Sequence, residues 1–199
     1  MLIKRILILK SKYFLLALFS ICLTTSLEAS KKGAEPVKKV GDAFQIALPV
    51  LAASMTLGYR DFEGSLEFVK SFGTTLGVTY ILKPLINEQR PISSAKLKQG
   101  RSPGNMSFPS GHTAAAFGGA AFLQMRYGWG FGIPSYLAAS YVGFSRVYGQ
   151  KHWFRDVLGG AAIAISANIL FTTRYCGKKV QIDPILEEDR KGISLHWEL

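Results

Sequence analysis

Three short segments of the chain together supply three permanent cations, two histidines and one carboxylate. They read KPLINEQRP, FPSGHT and SRVYGQKHWFRD, in chain order. Their residues with chemical potential are Lys83, Arg90, Ser110, Gly111, His112, Arg146, His152 and Asp156. A phosphoryl group in transfer spreads negative charge over its oxygens, and fixed charges that hold those oxygens supply most of the catalysis. This set of residues therefore predicts a phosphoryl-transfer site that needs no metal.

The three cations are suited to binding phosphate oxygens. Arg90 and Arg146 each present a planar fork that can bind two oxygens, while Lys83 adds a compact positive charge. If the chain is helical from Lys83 to Arg90, their offset of seven places both side chains on one helix face, about 10 Å apart along the axis. Pro91 then ends that helix, because it cannot donate the next backbone bond and disfavours helix just before it.

The segment FPSGHT directly precedes a run of small and apolar residues that is typical of a helix. Ser110 is suited to cap that helix, and Gly111 lets a ligand approach the backbone closely. The free N–H groups and the positive end of the helix dipole then face a phosphate. His112, in the first turn, is placed to donate a proton to a leaving oxygen.

His152 and Asp156 are four residues apart, so that on a helical turn the carboxylate can reach one imidazole nitrogen. Such a contact fixes the tautomer and leaves the other nitrogen free to attack phosphorus. Taken singly, each residue also has a structural interpretation. His152 beside Trp153 is typical of a satisfied core or interfacial histidine, and Asp156 can cap a helix that starts at Val157.

The order and spacing of the three segments resemble the signature of the type 2 phosphatidic acid phosphatase superfamily, which also holds bacterial acid phosphatases and vanadium haloperoxidases. That signature is Lys, six residues, Arg-Pro; then Pro-Ser-Gly-His; then Ser-Arg, five residues, His, three residues, Asp. Every position of it is matched between Lys83 and Asp156.

The resemblance implies a role for each matched residue. His152 is the nucleophile that forms a phosphohistidine, Asp156 orients it, and His112 acts first as general acid and then as the base that activates water. The phosphate-binding residues that it implies are Lys83, Arg90, Ser110, Gly111 and Arg146. The chain is thus expected to be a metal-independent hydrolase of phosphoric esters or diphosphates.

A divalent metal site is disfavoured by the same residues. Zinc sites usually combine three or four His, Cys or carboxylate ligands. Here only His112, His152 and Asp156 qualify, and the surrounding cations repel a metal ion. No Walker-type phosphate loop or dinucleotide glycine fingerprint occurs. We expect no metal and no cofactor; vanadate fits the same pocket as a phosphate mimic, but the chain is short for a haloperoxidase.

Five helical segments are predicted to position these residues. They run over Gly41–Tyr59, Leu66–Leu85, Ser110–Arg126, Pro134–Phe144 and Phe154–Thr173. Because the second ends, the third begins, the fourth ends and the fifth begins at the three segments, an up-and-down bundle brings all of them to one end. The predicted fold is an all-α bundle of five to six helices, with the polar loop Asn87–Ser107 over the site and Lys31–Val40 as a solvated lead-in.

The two ends of the chain differ from the predicted bundle. Residues 1–29 combine a basic start with an apolar run, which is typical of a signal peptide or of an N-terminal anchor helix. Residues 30–178 then form the phosphatase domain, and residues 179–199 form a C-terminal tail. In the tail, Val180–Ile182 and Ile193–Leu199 flank a charged turn and favour a small β-hairpin.

Composition separates the possible partners. The 199 residues are 48% hydrophobic and carry a formal net charge of +11. No arginine-rich tract or aromatic-interleaved pattern indicates nucleic acid, and anionic phospholipid head groups explain the charge better.

The apolar runs are shorter than the about 20 residues that a spanning helix needs, yet Val157–Phe171 is uncharged and rich in small residues suited to packing in lipid. Membrane embedding is favoured over a soluble helical core, and no protein partner is inferred.

The favoured function is therefore a lipid phosphatase in a bacterial inner membrane, with its site facing the periplasm. Its substrate class is undecaprenyl diphosphate, phosphatidylglycerol phosphate, phosphatidic acid or a lipid A phosphate. The alternative is a soluble periplasmic non-specific acid phosphatase. A third class, a non-catalytic protein that binds phospholipid or phosphate, keeps the pocket but predicts binding without hydrolysis.

Overall fold

The computed structural model describes residues 34–92, 100 and 102–176, together with the backbone of residues 180–187 and 190–197. The predicted signal peptide or anchor, residues 1–29, lies outside the described residues. So do residues 93–99 and 101 of the predicted loop over the site. The division of the chain at residues 29 and 178 accordingly stays a prediction.

Between residues 34 and 176 the described chain forms five α-helices. They are α1 (Ala34–Gly58), α2 (Phe62–Ile86), α3 (Gly111–Tyr127), α4 (Trp129–Tyr148) and α5 (Phe154–Phe171). The predicted all-α bundle is confirmed for this part of the chain. The helices alternate in direction, so that the end of α2, the start of α3, the end of α4 and the start of α5 share one end of the bundle, as expected.

Helix α1 begins earlier than predicted. Residues 34–40, which were expected to form part of a solvated lead-in, are helical. The reason is a continuous buried face at helical spacing, formed by Val37, Gly41, Phe44 and Leu48. Burial of this face against the bundle outweighs the charged residues that made the segment look solvated.

Helices α2 and α4 also extend beyond their predicted bounds. Asp61 caps α2, because its side chain accepts a hydrogen bond from the backbone N–H of Gly64 at 2.9 Å. Helix α4 begins at Trp129. Gly128, which has a φ of 96°, lies between α3 and α4 and interrupts the helical path. Pro134, the predicted start, instead lies inside α4.

The end of α2 differs from the prediction in a way that matters for the site. The helix stops at Ile86, and Asn87 follows in the left-handed conformation with φ of 45°. Arg90 is not helical, and its backbone N–H donates to the carbonyl of Gly104 at 2.7 Å. Lys83 and Arg90 therefore do not share a helix face, because a left-handed asparagine ends the helix well before Pro91 does.

Helix α3 is the centre of the bundle and contacts the other four helices. It is built largely from glycine and alanine, so neighbouring backbones approach it closely. A Cβ added to Gly119 would lie 2.7 Å from the backbone of Leu48 and Pro49 in α1, and one added to Gly160 in α5 would lie 2.5 Å from the carbonyl oxygen of Ser110. Small residues at these crossings thus set the helix spacing around the site.

The end of the bundle away from the three segments is closed by a buried charge network. The Arg126 side chain, 2% exposed, pairs with Asp61 at 2.5 Å and with Glu67 at 3.1 Å. Arg126 also donates to Thr173 just after α5, at 2.8 Å. This network joins the start of α2, the end of α3 and the segment that follows α5.

The C-terminal strands form the predicted hairpin. Strands β1 (Val180–Glu187) and β2 (Arg190–Trp197) pair antiparallel, from Val180 opposite Trp197 to Glu187 opposite Arg190. Both strands are longer than the sequence pattern indicated. Residues 198 and 199, at the end of the second predicted strand, lie outside the described residues.

The outer surface of the bundle is strongly apolar. Within the described residues, helices α1 and α5 are long and apolar enough to cross a membrane, each with a mean hydropathy of 1.4 over its most apolar window. Large apolar side chains that are more than half exposed occur on the four helices other than α3; they include Ile46, Leu57, Leu66, Val69, Ile81, Leu85, Ile133, Phe144, Leu158, Ile169 and Leu170. Such a surface marks an interaction with an apolar environment.

Candidate active site

The structure brings the predicted site residues together at one end of the bundle. Contacts between the segments fix this arrangement. The backbone N–H of Ser110, at the start of α3, donates to the carbonyl of Asp156 in α5 at 2.9 Å. Lys83, near the end of α2, donates to the carbonyl of Pro109 at 2.8 Å. The three sequence segments therefore form one site.

His152 and Asp156 form a buried pair. Nδ1 of His152 lies 3.3 Å from Oδ2 of Asp156, and the two residues are 4% and 0% exposed. The same oxygen accepts hydrogen bonds from Ser107 Oγ at 2.5 Å and from the backbone N–H of Trp153 at 2.9 Å. The carboxylate is thus held by three donors, and the imidazole is left with Nε2 as its free acceptor once Nδ1 donates to Asp156.

The electrostatic surroundings keep His152 neutral. Burial lowers the pKa of His152, and the cations Arg90 and Lys83 lower it further, to about 4, while Asp156 opposes the shift. The contact with Asp156 is therefore a hydrogen bond between a neutral ring and a carboxylate near neutral pH, not an ion pair. An unprotonated Nε2 is what a nucleophilic histidine requires.

The start of α3 has the predicted cap. The Ser110 hydroxyl accepts from the backbone N–H of Thr113 at 3.5 Å and from its hydroxyl at 3.0 Å. A Cβ added to Gly111 would lie 3.7 Å from Cε of Lys83, so the backbone of α3 and the lysine line one space. The first N–H groups of a helix have no acceptor within it, so this end of α3 suits an anion.

Two of the three cations hold the loop around this space. Lys83 donates to the carbonyls of Pro109 and, at 3.2 Å, Met106. Nε of Arg90 donates to the carbonyl of Asn105 at 3.3 Å. Both contacts leave further N–H groups on each cation for a ligand, because a lysine has three donors and an arginine has five.

Arg146 is held by three acceptors. Its Nε donates to Ser145 Oγ at 3.0 Å, its Nη2 donates to the carbonyl of Lys38 at 3.0 Å, and its Nη1 lies 2.7 Å from Oδ1 of Asp42. The same oxygen of Asp42 lies 3.2 Å from Nε2 of His112. Helix α1 thus contributes a carboxylate that contacts one predicted phosphate-binding residue and the predicted general acid.

The residues that sequence reasoning missed share one property: each acts through a contact that is distant in the chain. They are Asp42, Ser107 and the pair formed by Glu88 and Arg155, which ties the loop after α2 to α5. The sequence offered no signal for Asp42, while Ser107 stands directly before the FPSGHT segment. The alternative structural interpretation of Asp156 is wrong: it does not cap a helix starting at Val157, because α5 begins at Phe154, as predicted, and Asp156 lies in its first turn, where it accepts from the Trp153 N–H.

Together these contacts define a site that can bind a tetrahedral anion between fixed cations and present a neutral imidazole nitrogen to it. The model of the PAP2 superfamily matches residues 64–178. The chain is 32% identical over 170 residues to the Lipid A 4'-phosphatase of Helicobacter pylori. The aligned region covers 84% of this chain and 85% of that protein. The chain therefore belongs to the PAP2 superfamily and is a phosphoric ester hydrolase.

Other similarities are shorter or concern structure. Lipid A 1-phosphatase of Porphyromonas gingivalis is 44% identical over 63 residues, which is 30% of this chain and 14% of that protein. The crystal structure of LpxE from Aquifex aeolicus aligns with a TM-score of 0.49 and 24% identity, over 65% of this chain and 83% of that one. The transmembrane PAP2-type phosphatidylglycerolphosphate phosphatase of Bacillus subtilis aligns with a TM-score of 0.38 and 23% identity, over 80% of this chain and 94% of that one.

Proposed function

We propose that this protein is a membrane-embedded lipid phosphatase that removes the 4'-phosphate of a lipid A-type substrate through a phosphohistidine intermediate. The observation that carries the chemistry is the buried pair of His152 and Asp156, which presents a neutral nitrogen near the cations Arg90 and Lys83. The substrate class is supported by the 32% identity to a Lipid A 4'-phosphatase along 84% of the chain.

The reaction begins with binding of the phosphate. Lys83, Arg90 and Arg146 neutralise its oxygens, and the backbone N–H of Gly111 adds the positive end of α3, since the N–H of Ser110 is already bonded to the carbonyl of Asp156. Nε2 of His152 then attacks phosphorus, while Asp156 holds the proton on Nδ1 and stabilises the positive charge that develops on the ring. The bond between phosphorus and the lipid oxygen breaks in the same step.

His112 moves the protons. It donates one to the departing lipid oxygen, which leaves as an alcohol. The now neutral His112 next takes a proton from a water molecule that attacks the phosphohistidine. Phosphate is released, His152 regains its neutral form, and His112 is again protonated for the next cycle.

Membrane embedding is supported by the apolar outer surface of the bundle. Helices α1 and α5 are long and apolar enough to span a bilayer, and exposed aliphatic side chains continue to the catalytic end at Leu85 and Leu158. Trp153 and Phe154, both exposed beside the site, suit the boundary between lipid and water. We further propose that the membrane is a bacterial inner membrane and that the site faces the periplasm.

The test is phosphate release by the detergent-purified full chain in the presence of a chelator. Lipid A is compared with undecaprenyl diphosphate, phosphatidylglycerol phosphate, phosphatidic acid and p-nitrophenyl phosphate, and mass spectrometry identifies the phosphate lost from lipid A. We expect loss of the 4'-phosphate and strong preference for the lipid. Equal turnover of the small ester would favour a non-specific acid phosphatase, and tight binding without hydrolysis would favour a binding protein. Loss of activity to the chelator would contradict the metal-free mechanism.

A further inference from the structure

The carboxylate of Asp42 belongs to the site but to none of its sequence segments. It lies on α1, outside the residues 64–178 that match the family model. Its Oδ1 is 2.7 Å from Nη1 of Arg146 and 3.2 Å from Nε2 of His112. Its side chain is 52% exposed, so water could solvate the carboxylate, and burial alone does not explain why Asp42 has these two partners.

The seating of α1 makes this placement specific. Gly41 packs against α4 so closely that a Cβ there would lie 2.1 Å from Ser145 Oγ and 2.8 Å from Nη2 of Arg146. Nη2 of Arg146 in turn donates to the carbonyl of Lys38, one helical turn earlier. The absence of a side chain at residue 41 thus lets α1 lie directly on Arg146, and the next residue reaches the site.

We propose that Asp42 is a positioning residue for the general acid His112, an inference that rests on the proposed phosphatase function. The carboxylate accepts the Nε2 proton of His112, which leaves Nδ1 as the nitrogen that faces the leaving oxygen. When the P–O bond breaks, the Nδ1 proton passes to that oxygen, and the Nε2 proton stays on the ring, bonded to Asp42. Nδ1 then takes a proton from the attacking water, so that protons balance over the cycle.

The charges that face His112 explain why it needs this partner. Arg146 from α4, Lys83 from α2 and Arg90 from the loop after α2 are all cationic, whereas Asp42 from α1 is anionic. Burial and the cations lower the pKa of His112, and Asp42 opposes them. Without the carboxylate, the pKa of His112 would fall further, so that a smaller fraction of His112 would carry the proton it donates at any given pH.

A different role for Asp42 would be to occupy the place of a phosphate oxygen. Its Oδ1 bridges the arginine and histidine as such an oxygen could, so that substrate would have to displace it. The two roles predict opposite effects of removing the charge. A positioning residue is needed for turnover of esters with poor leaving groups, whereas a competitor weakens binding of every substrate.

The experiment compares Asp42→Asn with the wild type on two substrates, the preferred lipid phosphate and p-nitrophenyl phosphate. The ratio kcat/KM reports steps up to departure of the leaving group. A lipid alcohol needs a proton to leave, while p-nitrophenolate hardly does. We expect kcat/KM to fall about 30-fold for the lipid, below the full contribution of a general acid, and about threefold or less for the small ester. The basic limb of the lipid profile should move to lower pH.

Matched variants separate this role from a loss of charge or of fold. Glu35→Gln removes one negative charge from the exposed side of the same helix, where Glu35 pairs with Lys38, and should leave both rates unchanged. Asp42→Glu should restore part of the lipid rate and the basic limb. Retained p-nitrophenyl phosphate turnover shows that Asp42→Asn is folded, and Asp42→Ser supplies a second uncharged variant.

Three results would overturn the proposal. An equal loss on both substrates would mean a structural role, and a gain on both would mean that Asp42 competes with phosphate. Wild-type rates and pH profile in Asp42→Asn would mean that it has no role. A wild-type protein that hydrolyses no phosphate ester would instead refute the proposed function, and the inference with it.

Discussion

The two histidine–carboxylate pairs of the site differ in how their surroundings hold them. His152 and Asp156 lie inside the protein, and the carboxylate accepts from three donors. His112 and Asp42 lie at the mouth, with side chains 41% and 52% exposed. A nucleophile attacks one atom from one direction and benefits from a fixed position. A group that exchanges protons with a departing lipid and then with water needs access to solvent.

Of all substitutions in the two pairs, removal of the nucleophile His152 should have the largest effect on activity. We expect His152→Ala to lower kcat by more than about 10⁴-fold on every substrate, because the attacking atom is lost. His112→Ala should lower kcat/KM strongly for the lipid phosphate but much less for p-nitrophenyl phosphate, whereas kcat should fall for both because His112 also activates the attacking water. Steady-state kinetics on both substrates, with circular dichroism as the folding control, test this. Comparable activity of His152→Ala on either ester would refute the assignment of the nucleophile.

Within the buried pair, the next largest effect belongs to the carboxylate. Asp156→Asn should lower kcat by about 10³- to 10⁴-fold, since an amide no longer selects the tautomer that leaves Nε2 free. Ser107→Ala removes one of the donors to the same oxygen and should cost about tenfold. Both values come from kcat with saturating lipid. If Ser107→Ala were as damaging as Asp156→Asn, Ser107 would have a direct role in the chemistry.

The charge around the buried histidine can be tested by pH. Arg90→Gln removes a cation that lowers the pKa of His152, so this pKa should rise from about 4 toward the ordinary value of 6.5. Protonated His152 cannot attack, so kcat/KM falls as the pH drops through this pKa, and the acid limb should move to higher pH in the variant. The maximum of kcat/KM should also fall about 10- to 100-fold with the lost phosphate contact. An unmoved acid limb would show that another group controls it.

The smallest effect on catalysis is expected at the opposite end of the bundle. Arg126→Met leaves Asp61 and Glu67 buried without their partner, which should lower the free energy of unfolding by about 3–5 kcal/mol. Since the network does not touch the site, kcat per folded molecule should stay within about twofold of the wild type. Equilibrium unfolding in detergent measures the change in the free energy of unfolding, and kinetics at a single temperature measure kcat. A large loss of kcat in protein that stays folded would show that the two ends are coupled.

The sequence predicted those parts of the site that depend on local spacing. The four-residue offset of His152 and Asp156 and the cap at Ser110 are properties of one helical turn, and the structure has both contacts. The bundle followed from the positions of the three segments relative to the apolar runs. The role of each residue stays a prediction until the variants above are measured.

What the sequence did not predict arises from tertiary packing or from single backbone conformations. Asp42 meets His112 only because Gly41 allows α1 to pack on α4. The separation of Lys83 from Arg90 depends on the left-handed conformation of Asn87, which competes with an otherwise acceptable helical pattern. Neither effect has a periodic signature in the sequence.

Because the described bundle has an odd number of helices, the start of α1 and the residues that follow α5 lie at opposite ends of it. The first turns of α1 reach the catalytic end, where the carbonyl of Lys38 meets Arg146. After five passes the chain leaves at the other end, where the backbone N–H of Tyr175 donates to the carbonyl of Arg126. Cys176 follows directly with an exposed, free thiol. If the bundle spans a bilayer, an impermeant maleimide that labels Cys176 reaches the face opposite the one on which phosphate is released.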